Sequence, residues 1–127
     1  MTDSVEQLKK RLARTRQIKI SVTGRKSGTT ITLPVWFVLE KDKLYLLPVY
    51  GSDTQWFKNL KKNRSLGIAT GALEANFKPT LITDAKAVQE VVEGFRAKYG
   101  AADVKKYYTR LDVAVRVALP RAGSGPA

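Results

Sequence analysis

The stretch Ile18-Lys19-Ile20-Ser21-Val22 alternates apolar with polar side chains, the period-two pattern of a strand with one buried face. A second run extends from Ile31 to Leu39. Ile31, Leu33, Val35, Phe37 and Leu39 share one face, and Thr30, Thr32, Pro34, Trp36, Val38 and Glu40 share the other. Both faces are apolar around Val35–Val38, which predicts cover on both sides there. Pro34 cannot donate to a ladder, so this strand is expected at an edge or bulged. After a Lys41-Asp42-Lys43 turn, Leu44 to Val49 predicts a third strand, completing a meander. Ser65 to Thr70 predicts a fourth. Leu73 to Ile82 follows a turn at Gly71 as a fifth, and Val113 to Leu119 is a sixth.

Helical spacing marks the remainder. Val5, Leu8 and Leu12 form a narrow stripe on a helix expected over 4–17, whose other positions are rich in Lys and Arg. Such a helix either lies on an anionic membrane surface or packs on the sheet with its basic face in water. The stripe lacks the aromatics of a membrane anchor, which favours packing. Ser52-Asp53-Thr54-Gln55 has capping-box spacing and predicts a helix from Asp53 to about Lys62, with Trp56, Phe57 and Leu60 inward. Val88, Val91, Val92, Phe95 and Tyr99 form a core-facing stripe on a helix that Asp84 caps and Gly100 stops. A shorter helix, Ala101 to Arg110, bears Tyr107 and Tyr108, and 120–127 reads as a disordered Pro/Gly/Ser tail. Six mostly hairpin-linked strands, with helices after the third and fifth, predict a mainly β, antiparallel six-stranded barrel with helices at its ends. It is one domain over 1–119.

Charge narrows the partners. The formal net charge is +12, which points to a polyanion: nucleic acid, anionic lipid or a phosphorylated cofactor. The chain has no Cys and no His, so disulfides, zinc-thiolate sites and the usual general base are excluded. Hydride transfer, in which a cofactor carries the reactivity, needs neither residue. No apolar run approaches the roughly 18 residues of a membrane span, and no signal-peptide pattern opens the chain. A soluble cytoplasmic protein is expected.

Two stretches carry candidate chemistry. Thr23-Gly-Arg-Lys-Ser-Gly28 places Arg25, Lys26 and Ser27 at a hairpin tip between Gly24 and Gly28, glycines that suit left-handed turn positions. The turn reads as a phosphate clamp or as a solvated turn whose cations blunt a sheet edge. The start of the Trp56 helix offers backbone N–H groups around Ser52–Thr54 for an anion or a carbonyl oxygen, or is simply a capped helix.

Ile20-Ser-Val-Thr-Gly-Arg-Lys-Ser-Gly28, Leu33-Pro-Val-Trp36 and Asp53-Thr-Gln-Trp-Phe-Lys-Asn-Leu60 together resemble the deazaflavin-dependent nitroreductase family, in motif order and spacing, over roughly 18–119. The resemblance implies a split β-barrel similar to FMN-binding split-barrel flavoproteins. It implies coenzyme F-420 as cofactor, a deazaflavin with a phosphate and polyglutamate tail, and reduction of quinones, nitro compounds or activated alkenes. By matched position, Arg25, Lys26, Ser27 and Gly28 would hold the phosphate and tail. Tyr50, Gly51, Ser52, Asp53, Thr54 and Trp56 would lie along the ring. Tyr107 and Tyr108 would face the electron acceptor as catalytic candidates. Trp36 and Trp56 are candidate pocket walls or plain core. Many members have a longer glycine-paired loop with a His-Pro before the Trp helix, here reduced to Gly51, so FMN stands as the alternative cofactor. Other split-barrel proteins bind haem or fatty acids, and fold alone does not fix function. Two non-enzymatic readings remain beside it: a basic barrel binding single-stranded nucleic acid, and a cofactor carrier. A homodimer is compatible with any of them.

Overall fold

A computed structural model describes residue 7, residues 10–70 and residues 73–119. Strand β1 (Ile18–Thr23) pairs antiparallel with β2 (Thr30–Val35), and Ser21 opposite Thr32 adds a hydroxyl–hydroxyl hydrogen bond of 3.0 Å across the pair. β3 (Val38–Glu40) and β4 (Lys43–Leu46) form a second hairpin. A 3-10 turn, Gly51–Asp53, precedes helix α1 (Gln55–Lys62). Then come β5 (Leu66–Thr70), β6 (Leu73–Phe77), β7 (Thr80–Ile82), α2 (Ala85–Tyr99), α3 (Ala101–Tyr107) and β8 (Ala114–Ala118). Two antiparallel four-stranded sheets result, in the orders β2-β1-β5-β6 and β3-β4-β8-β7.

Among the described residues the six-stranded barrel expected from sequence is therefore replaced by eight strands in two sheets that do not close on each other. Each of two long predicted strands divides and serves both sheets. The Ile31–Leu39 run breaks at Trp36-Phe37, so it makes no continuous meander. Both backbone polar groups of Phe37 are taken by side chains: its N–H donates to the Tyr99 hydroxyl (3.1 Å), and its carbonyl accepts from that hydroxyl (2.9 Å) and from Lys98 Nζ (2.9 Å). With those groups satisfied off-sheet, the chain turns from one sheet into the other. The Leu73–Ile82 run breaks at Lys78-Pro79, where Pro79 has no N–H to continue a ladder. Pro34 sits on β2, an edge strand, as its chemistry requires.

Between the sheets Ile18, Ile20, Val22, Leu66 and Ile68 meet Leu44, Leu46, Val115 and Val117, with Phe37 at the corner and Trp56, Phe57 and Leu60 of α1 closing one end. A second core lies on the outer face of the β3–β8 sheet, where the Val88–Tyr99 stripe of α2 packs on Trp36, Val38, Tyr45 and Ala114. Two cores explain the doubly apolar Val35–Val38: Phe37 faces one, and Trp36 and Val38 face the other. α2 begins as expected, with the Asp84 carboxylate accepting from Ala87 N–H at 2.9 Å. α3 ends three residues before the predicted Arg110. Lys10 to Leu12 are helical and Leu12 is buried, but residues 13–17 are not helical. The rest of the expected 4–17 stripe, the Gly71 turn and the 120–127 tail lie outside the described residues. Among the described residues no helix is long and apolar enough to cross a membrane.

Candidate active site

A cleft of about 790 Å³ opens between β2, the Trp36 corner, the start of α1 and the end of α3. Trp36 and Trp56 line it together with Tyr50, Tyr107, Tyr108 and the aliphatic side chains of Leu33, Val35, Leu47 and Val49. Trp36 is fixed from behind and beside: it stacks on Tyr99 at 4.2 Å and 4°, and meets Tyr107 edge-on at 5.5 Å. The exposed large apolar side chains among the described residues, Ile31, Tyr50 and Tyr107, all stand on this cleft. In a chain of net charge +12, no Lys or Arg among the described residues lines it. Its charged side chain is Asp53, which Arg110 pairs at 2.6 Å.

The turn leading into α1 is saturated with hydrogen bonds. Ser52 N–H donates to Asp112 Oδ1 (2.9 Å), Asp53 N–H to the Tyr50 carbonyl (3.1 Å) and Thr54 N–H to the Gly51 carbonyl (3.0 Å). Ser52 Oγ donates to Asp112 Oδ2 at 2.7 Å, so the Ser52–Gln55 capping box does not form. Asp112 has drawn Ser52 away, and α1 starts at Gln55 rather than Asp53. Burial alone would raise the Asp112 carboxyl, but the two bonds from Ser52 and the Arg110 charge outweigh it and hold it below the ordinary value. Gly51 is required here. It sits at φ +57°, and a Cβ would fall 2.1 Å from Asp112 Oδ1.

The first turn of α1 is the reverse. Thr54 at the N-cap spends its hydroxyl oxygen accepting from Tyr50 N–H (2.8 Å) and caps nothing. The N–H groups of Gln55, Trp56 and Phe57 have no partner among the described residues. The N–H groups predicted at Ser52–Thr54 are thus occupied, and the free ones begin one residue later, beside the cleft.

Arg25 does not stand at a solvated tip. It folds back onto α1, donating from its backbone N–H (3.1 Å) and Nη1 (2.7 Å) to Asn59 Oδ1, and from Nη2 (2.9 Å) to Gln55 Oε1. Lys26, Ser27 and Gly28 are exposed. Ser27 Oγ stays within the turn, bonded to Thr29, and Gly28 takes the left-handed position (φ +74°) whereas Gly24 does not.

Of the residues singled out in the sequence, the structure brings Tyr50, Asp53, Thr54, Trp56, Tyr107 and Tyr108 to one cleft. Arg25, Lys26, Ser27, Gly28, Gly51 and Ser52 are not in its wall. Tyr108 is buried, and burial pushes its phenol well above the usual range. Asn59, Gln55, Asp112 and Arg110 were not anticipated. The helical period would have found the first two, since Gln55 and Asn59 are four apart beside Trp56. Asp112 carries no local signal.

Residues 8–118 match a family described as an uncharacterized protein conserved in bacteria (DUF2255). No curated protein matches the chain. Among solved structures, an F420-H2-dependent reductase (FDR-A) is similar at TM-score 0.62 and 20% identity, over 80% of this chain and 93% of that one. A domain-swapped dimer is similar at TM-score 0.64 and 19% identity, over 88% and 94%. The haem storage protein of Vibrio cholerae is similar at TM-score 0.66 and 12% identity, over 92% and 89%. At these identities the likeness is one of fold.

Proposed function

The chain belongs to the uncharacterized bacterial family DUF2255, and we propose that it is an oxidoreductase that holds reduced coenzyme F-420 in this cleft and passes hydride to an electron-poor acceptor, a quinone, nitro compound or activated alkene. The carrying observation is the cleft itself: aromatic and aliphatic walls with, among the described residues, unpaired hydrogen-bond donors at the start of α1 and no lining cation. That chemistry suits a flat, carbonyl-bearing ring. The similar fold of an F420-H2-dependent reductase supports the reading.

When bound, F-420 supplies the hydride, and the protein supplies placement and polarity. Trp36, braced by Tyr99 and Tyr107, and Trp56 act as walls. The α1 N–H groups, at the positive end of the helix dipole, favour a carbonyl oxygen that gains electron density. Tyr108 is held as a neutral phenol and serves as a hydrogen-bond donor to the acceptor, with Tyr107 at the mouth. Lys26, exposed on the hairpin, is the cation for the phosphate and tail.

The haem reading has less support, because the chain has no His or Cys to ligate iron and burial disfavours ionisation of Tyr108. A single-stranded nucleic-acid groove is disfavoured by the lack of cations in the wall among the described residues. A homodimer is part of the proposal, on the strength of the similar domain-swapped dimer, and light scattering checks it. The test of function is fluorescence titration with F-420, FMN, haemin and single-stranded DNA, followed by F-420H2 oxidation with a quinone. F-420 is expected to bind at least tenfold tighter than FMN, about 1.4 kcal/mol. Equal or reversed affinities remove the deazaflavin assignment.

A further inference from the structure

Asn59 is 4% exposed and lies in the cleft wall. Its carbonyl oxygen accepts two hydrogen bonds from Arg25, at 3.1 and 2.7 Å. A carboxamide oxygen has two lone pairs and its nitrogen only donates, so this double engagement fixes which end is which. Nδ2, the other end, has no partner among the described residues. Trp56 Nε1 and the Tyr108 hydroxyl, on side chains 5% and 7% exposed, also lack partners. Yet no fully buried side-chain nitrogen or oxygen among the described residues is unpaired. These three atoms therefore keep an opening, and all three residues line the cleft.

We infer that Asn59 is a ring-binding residue whose amide N–H group donates to a carbonyl oxygen of the bound ligand, and that Arg25 is a positioning residue that holds the amide in that orientation. With the uncapped N–H groups of α1 and Trp56 Nε1, Asn59 makes a cluster of hydrogen-bond donors along one wall of the cleft. It favours a planar ring whose edge presents carbonyl oxygens or acceptor ring nitrogens. Arg25 thereby serves the ring and leaves the phosphate and tail to Lys26. The ring's identity rests on the deazaflavin reading; the donor chemistry rests on the geometry alone.

The test uses three probes: F-420, its tail-free deazaflavin chromophore, and riboflavin. Asn59→Asp keeps size and an acceptor for Arg25 but removes the donor, and a thermal melt verifies that it folds. The expected result is at least a tenfold loss of affinity for both deazaflavins, whereas Lys26→Ala weakens F-420 and leaves the tail-free chromophore unchanged. Arg25→Gln is expected to cost about tenfold for the tail-free chromophore in the wild-type background and nothing further once Asn59 is Asp, a coupling that a merely structural arginine would not show. A spectroscopic readout stands beside affinity. Donors on the ring carbonyls favour its anionic form, so the bound chromophore should ionise at lower pH in wild type than in Asn59→Asp.

If wild type binds deazaflavin and Asn59→Asp binds it equally well, the inference is overturned and the deazaflavin reading survives. If wild type binds riboflavin but not deazaflavin, and Asn59→Asp loses riboflavin, the reading falls and the inference stands. Binding of none of the three overturns both.

Discussion

In the turn Gly51–Asp53 and at Thr54, the N–H groups of Ser52, Asp53 and Thr54 are spent within the protein, and Asp112 and Arg110 brace the turn from the far side. In the first turn of α1, beginning at Gln55, three successive N–H groups have no partner among the described residues. The stretches adjoin at Thr54, and Asp53, Thr54, Gln55 and Trp56 line one cleft. Backbone donors away from water are almost always paired. The first turn of a helix leaves its N–H groups without an intrahelical partner, and here the N-cap side chain supplies none. The saturated turn is the frame that keeps them in place.

Breaking the frame should have the largest effect. Gly51→Ala forces a left-handed alanine and drives Cβ into the Asp112 carboxylate. About 1–3 kcal/mol of backbone strain, added to lost Ser52–Asp112 bonds, gives an expected destabilisation of about 3 kcal/mol. Urea unfolding measures it, and a change below about 1 kcal/mol would mean that the turn is not a rigid frame.

Next comes the link between hairpin and helix. Arg25→Ala removes the two guanidinium hydrogen bonds to α1 at part-buried and exposed positions, while the backbone N–H bond to Asn59 stays, and an expected loss of about 1–2 kcal/mol follows. Lys26→Ala, at the adjacent exposed position, should stay within about 0.5 kcal/mol of wild type. Equal stability of the two variants in thermal melts would contradict the docked Arg25.

The smallest effect is a pH dependence that belongs to the frame alone. The folded Asp112 carboxyl titrates below its unfolded value, so its stabilisation is complete above the unfolded pKa, about 3.9, and fades as pH falls through the folded one. The stability difference between wild type and Asp112→Asn should therefore be constant near neutrality and shrink below about pH 4. A difference that persists unchanged down to pH 2 would show that the carboxylate's charge plays no part.

These two stretches also show what a sequence can carry. The strands, the Val88–Tyr99 stripe and the Asp84 cap were legible because period and cap chemistry are local. The capping box was misleading for the same reason. Ser52 and Gln55 have the right spacing, but Asp112, sixty residues away from Ser52, offers Ser52 two acceptor oxygens and wins it. Arg25 was read as a free cation because its partners, Gln55 and Asn59, are 30 and 34 residues distant. The break at Trp36-Phe37 was hidden because an unbroken apolar run looks the same whether one sheet or two receive it. Tyr99, the residue that ends the ladder, sits 62 positions later. Of the residues in the cleft wall, the aromatics were anticipated through motif resemblance, whereas the polar partners that orient them were set by tertiary contacts.

Both tryptophans of the chain, Trp36 and Trp56, stand in the one cleft. All indole emission from this protein therefore originates within contact distance of whatever enters it. Trp36, lying flat on Tyr99 at 4.2 Å, is locked in orientation, so its transition dipole has a fixed bearing on an arriving chromophore. An absorbing ring there would accept excitation from both indoles at a few ångströms. The protein carries an intrinsic optical gauge of occupancy, and Trp36→Phe and Trp56→Phe would separate its two channels.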